Sequence, residues 1–378
     1  MYIKDLKLNN FRNYKELYSE FNMDYNIICG KNAQGKTNIL EAIFLCSSGR
    51  SHRTSKDNEL IKFLENSYYV NVDVNRKYTD TTIEIYYEKD SRKKIKINSV
   101  PSKKNGELMG QLNTVIFSPE DMNIIKGSPS ERRRYIDIAI SQLKPSYFYN
   151  LQQYSKIIAQ RNCLLKTLNI NNGIKSKMYE TLDIWNEKLV ETGSRIMIER
   201  YNFLKELNEK IKEKHIKLTG GREELEIRYA PSILIENGLD KKSIENSFYK
   251  KLVSSVEREI KNCATLYGPQ RDDMEVLVNE KNVKLFGSQG QQRTVVLSLK
   301  LSEVDIAYRL INEYPVLLLD DVFSELDIKR QQYLIESIKG MQVFITTTEI
   351  NFIKTLKENN NLSLYMVEEG VVKDTNII

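Results

Sequence analysis

Hydrophobic and polar residues alternate along the N-terminal part of the chain, which predicts β-strands. Val70, Val72 and Val74 are separated by polar residues, and the same spacing recurs around Ile83 and Ile95. Earlier positions with a similar pattern are Ile3, Leu6, Leu8, Leu17, Ser19 and Phe21. Side chains two positions apart point to one face of a strand, so each segment has one apolar face. The pattern predicts an antiparallel meander.

After about Pro129 the apolar residues recur at intervals of three and four, as in amphipathic helices. One stripe contains Leu151, Tyr154, Ile158, Leu165 and Leu168, and Arg161 interrupts it. A second stripe contains Val190, Gly193, Met197, Tyr201, Leu204, Leu207 and Ile211. Turn-forming residues at 169–173 separate the two stripes. We therefore expect two long helices packed as an antiparallel hairpin.

Strand signals return after this helical region. Leu225–Tyr229 alternates, residues 241–262 have a helical pattern, and the apolar run 316–319 predicts a strand buried on both faces. The fold class is therefore α/β, with a helical arm inserted into one α/β domain. The expected boundaries are 1–128 for the N-terminal part of that domain, 129–262 for the arm and 263–378 for its C-terminal part.

A phosphate-binding loop follows the apolar segment Tyr25–Cys29. The pattern G-x-x-x-x-G-K-[ST] is formed by Gly30, Lys31, Asn32, Ala33, Gln34, Gly35, Lys36 and Thr37. Its setting between a predicted strand and a predicted helix at 38–46 is the one this motif requires, because phosphates then bind at a helix N-terminus. Lys36 is expected to reach the β- and γ-phosphates of ATP, and the Thr37 hydroxyl to bind Mg²⁺.

Two carboxylates complete the predicted catalytic site. Asp320 ends the apolar run 316–319, which is the usual position of a residue that holds Mg²⁺. Asp321 is the candidate general base for the attacking water. Lys36, Asp320 and Asp321 are therefore the predicted catalytic residues, and Thr37 and Asp320 the predicted metal ligands.

A second anion site is expected at Ser288-Gln-Gly290-Gln291, which precedes a long apolar helical run. A helix N-terminus carries free backbone N–H groups, and Ser288 is a typical N-cap residue. A plain helix cap is the alternative for this segment taken alone.

Composition narrows the function only slightly. The chain has 378 residues, 40% hydrophobic and 29% charged, with a net charge of +6. This charge permits a polyanionic partner without requiring one. Basic runs occur at Arg92–Lys94 with Lys96, at Lys103–Lys104 and at Arg132–Arg134. Each run either binds nucleic-acid phosphates or lies on a solvated surface without such a contact. No apolar run can span a bilayer and no signal peptide is evident, so we expect a cytoplasmic protein with no membrane partner.

These motifs, in this order, resemble the ABC and SMC ATPase heads, and most closely the RecF family. The resemblance rests on the phosphate-binding loop, the Ser-Gln-Gly-Gln segment, Leu-Leu-Leu-Asp-Asp and Ser324-Glu-Leu-Asp327. Further family-like segments are Asn10–Tyr14, Ser51–Thr54, Ser128–Tyr135 and Tyr267–Asp273. Three departures from the family pattern stand out. Gln270 occupies a usual His position, and Thr346-Thr-Thr348 occurs where many ABC ATPases have a switch His. Asp321 also stands where most have Glu.

The resemblance implies an ABC-type head with an inserted arm and a function in DNA repair. Two heads would enclose ATP, with Ser288, Gly290 and Gln291 contacting the γ-phosphate held by the other subunit and Ser324–Asp327 at the dimer seam. It also implies binding to single- and double-stranded DNA at junctions or gaps, and weak, DNA-dependent ATP hydrolysis. RecR and RecO are the implied partners, in RecA loading, replication restart and SOS induction. The alternatives are an SMC-like structural ATPase, a transporter-type ABC subunit and a scaffold without turnover.

Overall fold

The structure is a computed structural model that describes residues 1–170, 176–233, 240–348 and 361–375. Its strands are β1 (Tyr2–Phe11), β2 (Tyr14–Glu20), β3 (Tyr25–Cys29), β4 (Ser67–Asn75), β5 (Thr81–Glu88), β6 (Lys94–Ile97), β7 (Val100–Pro101), β8 (Thr114–Phe117), β9 (Leu225–Ala230), β10 (Asp273–Val278), β11 (Lys281–Asn282), β12 (Val316–Asp320), β13 (Val343–Thr347), β14 (Leu362–Glu368) and β15 (Val371–Thr375). Its helices are α1 (Lys36–Ser48), α2 (Met122–Lys126), α3 (Pro129–Leu143), α4 (Pro145–Ile170), α5 (Ser176–Thr219), α6 (Lys241–Ser254), α7 (Val256–Asn262), α8 (Val283–Phe286), α9 (Gln289–Ile311) and α10 (Ile328–Ser337).

The chain forms two compact units. The first unit contains Met1–Met122, Glu213–Glu223 and Gln289–Ile378, and the second contains Asn123–Lys212 and Glu224–Ser288. The predicted arm ended at residue 262, whereas the second unit continues to Ser288 because β10 pairs with β9 along its full length. The last part of α5, Glu213–Thr219 or about two turns, belongs to the first unit rather than to the arm.

The first unit contains an antiparallel sheet of order β2-β1-β4-β5-β6-β7. The predicted antiparallel strands are confirmed, but their order is not that of a simple meander, because β1 pairs with both β2 and β4. The segment between β2 and β4 leaves this sheet to form β3 and α1. This excursion carries the phosphate-binding loop.

A mixed sheet of order β15-β14-β3-β13-β12-β8 lies in the same unit. Strands β14, β3, β13, β12 and β8 are parallel. All residues of β3, β12 and β13 are buried, as the apolar runs predict for strands covered on both faces. Helix α1 contacts strands of both sheets, which explains its burial on nearly every side.

The predicted helical hairpin is confirmed in the second unit. Leu165 and Leu168 of α4 pack with Leu182 of α5. Arg161, which interrupts the apolar stripe, is fully buried and donates hydrogen bonds to Asn186 at 2.9 Å and to Glu259 at 2.6 Å. This polar residue thus belongs to the packed interior because its charge is paired there. The turn predicted at 169–173 lies partly outside the described residues.

Candidate nucleotide-binding site

The predicted nucleotide site lies at one edge of the mixed sheet. Because parallel strands share an orientation, their carboxyl ends meet there, which is the usual ligand-binding edge of such sheets. The phosphate-binding loop follows β3, and Asp320 ends β12. β13 lies between these two strands, and its residue Thr346 is in register with both Asp320 and Ile28. The sheet order therefore brings together residues from opposite ends of the chain.

Asp320 is the centre of a short hydrogen-bonded cluster. Its Oδ1 accepts hydrogen bonds from Thr37 Oγ1 at 2.8 Å and from Thr346 Oγ1 at 2.6 Å. The same Thr346 hydroxyl accepts a hydrogen bond from the backbone N–H of Asp321 at 3.0 Å. Thr346 is 1% exposed. The Thr346 hydroxyl therefore fixes the positions of both carboxylate residues.

Asp321 has an unusual environment. Its backbone φ is 52°, a left-handed conformation that is uncommon outside glycine. Its Oδ1 is buried and has no hydrogen-bond partner within the described part of the chain. A buried carboxylate oxygen without a partner is costly, so such a group is a candidate for a functional role. Ser324 Oγ donates to the Asp321 carbonyl at 2.7 Å, which closes the turn after this residue.

Lys36 lies within the phosphate-binding loop and is 8% exposed. Its ammonium donates to the carbonyl oxygens of Gly30 at 2.6 Å and Lys31 at 2.8 Å. Burial lowers the pKa of Lys36, while the nearby carboxylates of Asp321 and Asp320 oppose that change. The cation is thus held at the loop, in the position from which the motif binds phosphate.

Hydrogen bonds from Asn13, which lies outside the motif, hold the phosphate-binding loop in place. Its Nδ2 donates to the Gln34 carbonyl at 2.7 Å, and its Oδ1 accepts from Asn38 Nδ2 at 2.8 Å. Gly35 has φ 112°, and a Cβ at this position would lie 2.4 Å from Asn13 Nδ2. Asn13 lies in the family-like segment Asn10–Tyr14, where the sequence alone indicates no role for it. Its contacts with the loop are long-range, so no local pattern reveals them.

Glu41 is a buried carboxylate on α1, one turn inside the helix. Arg12 donates to both of its oxygens, at 2.7 and 2.9 Å, and Arg53 lies 3.6 Å away. Burial works to raise the pKa of Glu41, but hydrogen bonds from Arg12 and Ser51 outweigh it, so the pKa lies below its ordinary value. Arg53 is therefore partly engaged with α1. This network was not foreseen from the sequence.

The second predicted anion site begins α9. Ser288 immediately precedes this helix, and Ser288 and Gly290 are both exposed. A Cβ at Gly290 would meet nothing within 4 Å. Glycine is thus not needed here to avoid a neighbour within the chain. In the Ser324–Asp327 segment, Asp327 caps α10 and Glu325 lies 3.4 Å from Arg293 of α9.

In two of the predicted basic clusters, some of the side chains bind partners within the chain. Lys93 is largely buried, 2.6 Å from Asp57, and donates to the Gly49 carbonyl at 2.8 Å. Arg132 donates to both carboxylate oxygens of Asp273, at 2.6 and 2.9 Å, and is 8% exposed. Arg133 donates to the Asp272 carbonyl. Arg132 and Arg133 therefore support the fold, whereas Lys94 and Lys96 are exposed and Lys103 and Lys104 lie in an exposed loop.

Comparison with protein families defines the class of this fold. The family model described as the RecF/RecN/SMC N terminal domain matches residues 2–373. The Smc head domain of Pyrococcus furiosus, 17% identical, aligns over 99% of this chain and 96% of its own with a TM-score of 0.55. The fold is that of an ABC-type P-loop ATPase head with a helical insertion.

Closer relatives define the family. The DNA replication and repair protein RecF of Acetivibrio thermocellus is 52% identical over 98% of this chain and 99% of its own, and that of Clostridium tetani is 45% identical over 98% and 99%. A solved structure of the recombination mediator protein RecF with ATP, 39% identical, covers 99% of this chain and 97% of its own with a TM-score of 0.91. This chain belongs to the RecF family. None of its described helices has the length and apolar character needed to cross a membrane.

Proposed function

We propose that this protein binds ATP with the loop Gly30–Thr37 and uses it to control a DNA-bound dimer. The observation that carries the proposal is the cluster in which Thr37 and Thr346 both donate to Asp320 beside Lys36. The RecF relative solved with ATP supports the same ligand. Lys31, Asn32, Ala33 and Gln34 complete the loop, whose backbone N–H groups would surround the phosphates.

The donor set also fits Mg²⁺. Thr37 Oγ1 and Asp320 Oδ1 lie 2.8 Å apart, and hydroxyl and carboxylate oxygens are the hard ligands that this ion prefers. Thr37 and Asp320 would hold the ion, which would supply neutralisation of phosphate charge. Thr346 would fix the orientation of Asp320 through its 2.6 Å hydrogen bond.

Asp321 is the residue we assign to the attacking water. Its unpaired buried oxygen can accept a proton or a hydrogen bond from that water. Thr346, at a position where many ABC ATPases have a His, cannot accept a proton near neutral pH, and its hydroxyl is already bonded to Asp320 and the Asp321 N–H. We therefore expect weak hydrolysis that times a switch. Turnover above tens per second would contradict this expectation.

A second subunit completes the proposed site. Ser288, Gly290 and Gln291 would contact the γ-phosphate bound by the partner's loop. Two features support this: the exposure of Ser288 and Gly290, and the open space around Gly290, where a phosphate can approach the backbone. Dimers would then form with ATP and separate after hydrolysis.

DNA and the mediators RecR and RecO are the proposed partners, in the cytoplasm. Support comes from the RecF relatives, named for DNA replication and repair, and from a RecF structure described as belonging to the RecFOR pathway. Lys94, Lys96, Lys103 and Lys104 are the basic residues that we assign to the DNA backbone, with little preference for base sequence. Loading of RecA at gaps or junctions, replication restart and SOS induction are the processes that this function would serve.

Light scattering on a sizing column tests the proposal, with ADP, with ATP and with ATP plus gapped DNA. Dimers are expected only with ATP, and a larger complex with ATP and DNA together. The variant Lys36→Met should remain monomeric in all three conditions. Dimers that form equally with ADP, or a Lys36→Met variant that behaves as wild type, would contradict it. Phosphate release with and without DNA separates a switch from a scaffold without turnover.

A further inference from the structure

A partly buried chain of polar contacts connects the end of α5 to the first turn of α9. Glu223 lies at its centre. Its Oε1 accepts a hydrogen bond from Gln291 Nε2 at 2.9 Å, and its Oε2 lies 3.2 Å from His215 Nε2. His215 Nδ1 lies 3.0 Å from Ser298 Oγ, two turns further along α9. All four residues belong to the first unit.

The backbone places Glu223 through a specific local structure. Helix α5 ends at Thr219, and Gly220 and Gly221 follow with φ 64° and 78°. Both glycines are therefore left-handed, and the Gly221 N–H donates to the Ile216 carbonyl at 3.0 Å. A Cβ at either position would meet nothing within 4 Å, so backbone conformation, not space, requires glycine. The turn reverses the chain and returns Glu223 to the side of His215.

The protonation of His215 follows from its environment. The ring is fully buried, and burial lowers the pKa of His215, which the Glu223 carboxylate partly opposes and Arg330 reinforces. The Nε2–H of the ring donates to Glu223, and Nδ1 lies beside the Ser298 hydroxyl, which donates to the Thr294 carbonyl at 2.9 Å. Glu223 then accepts two hydrogen bonds, one from His215 and one from Gln291. A carboxylate held in this way fixes the amide of Gln291.

We propose that Glu223 is a positioning residue that orients Gln291 for the phosphate held by a second copy of this chain. His215 fixes Glu223 from the other side. The inference rests on the proposed function, since Gln291 is one of the residues assigned to the partner's γ-phosphate. It adds the pair Glu223 and His215, which lies outside the sequence motifs.

A double-mutant cycle tests this role. Removing a hydrogen bond to a charged group typically costs about tenfold or more in an equilibrium, so Glu223→Ala should weaken ATP-induced dimerisation by about tenfold. Gln291→Ala should weaken it as well, and the double variant should be no weaker than Gln291→Ala, because Glu223 acts through Gln291. Glu224→Ala is the matched control, since that carboxylate is exposed and pairs only loosely with Lys212 at 3.6 Å.

A spectroscopic readout separates positioning from general damage. The chain has two histidines, so the ring of His215 can be followed by NMR. Glu223→Gln should lower the pKa of His215, because the opposing carboxylate charge is lost, while Glu224→Ala should not. The inference is overturned if Glu223→Ala dimerises as wild type, or if the effects of Glu223→Ala and Gln291→Ala add. A wild-type protein that does not dimerise with ATP would overturn the proposed function first.

Discussion

Thr346 offers a sharp test of how Asp320 and Asp321, the carboxylates that we assign to catalysis, are held. Replacement by Val keeps the size and branching of the side chain but removes its hydroxyl. Two hydrogen bonds are then lost: the 2.6 Å bond to Asp320 Oδ1 and the 3.0 Å bond from the Asp321 N–H. Thr37 still donates to Asp320 at 2.8 Å, so the Asp320 carboxylate keeps one of its two hydrogen-bond partners.

The magnitude follows from the two contacts. A hydrogen bond to an ionised group contributes roughly 1.5–3 kcal/mol and a neutral one roughly 0.5–1.5 kcal/mol. Thr346 is 1% exposed, so water cannot replace the lost partner without rearrangement. Loss of both hydrogen bonds should therefore destabilise the arrangement of Asp320 and Asp321 by about 2–4 kcal/mol. If only about 1.4 kcal/mol of this appears in the activation barrier, the rate of hydrolysis falls tenfold.

The assay is single-turnover ATP hydrolysis together with ATP affinity, measured on Thr346→Val and Thr346→Ser. Serine retains the hydroxyl and loses only a methyl group, so it should hydrolyse ATP at close to the wild-type rate. Thr346→Val should bind ATP and hydrolyse it at least about tenfold more slowly. The reasoning is refuted if the Val variant hydrolyses as fast as wild type, or if the Ser variant is equally impaired.

Three further substitutions test other parts of the site. Asp321→Asn should abolish most hydrolysis and lengthen the life of ATP-induced dimers; a variant whose dimers separate at the wild-type rate would show that Asp321 does not time the switch. Gly35→Ala should lose most ATP affinity, because its Cβ would lie 2.4 Å from Asn13 Nδ2 and its φ of 112° disfavours any side chain. Affinity retained in isothermal titration would argue against a role for Asn13 in holding the loop. Arg132→Ala should lower the free energy of unfolding by about 3 kcal/mol, since the Asp273 carboxylate loses a two-bonded partner. Once the folded fraction is taken into account, its DNA affinity should match wild type, and a specific loss of DNA binding in a stable variant would reverse this assignment.

Much of the nucleotide site was predictable because its residues occur in short motifs. The loop Gly30–Thr37 and the run ending at Asp320 each combine a hydrophobic strand signal with fixed polar positions. The strand order that unites them was not predictable from spacing. β13 inserts between β3 and β12, and only this order brings Thr346 beside Asp320. A Thr at the end of a buried strand gives no local sign of its partner.

Charge runs were the least informative signal. The sequence presents Arg132–Arg134 as a basic cluster, yet Arg132 binds Asp273, which is distant along the chain. Arg161 is a case of the opposite kind. Its charge interrupts an apolar stripe in the sequence, yet the side chain is fully buried against Glu259. Long-range pairing decides whether a charge is exposed, and linear patterns do not contain that information.

The composite site is the central claim, and mixing two inactive variants tests it most directly. Lys36→Met should lose its own nucleotide contact, and Ser288→Arg should keep ATP binding but block the contact with the partner's phosphate. Each alone should stay monomeric with ATP. In a mixed dimer both defects fall in one site, and the other site pairs an intact loop with an intact Ser288. We predict that light scattering detects ATP-dependent dimers only in the mixture. A mixture that remains monomeric, or a Ser288→Arg variant that dimerises alone, would contradict the shared site.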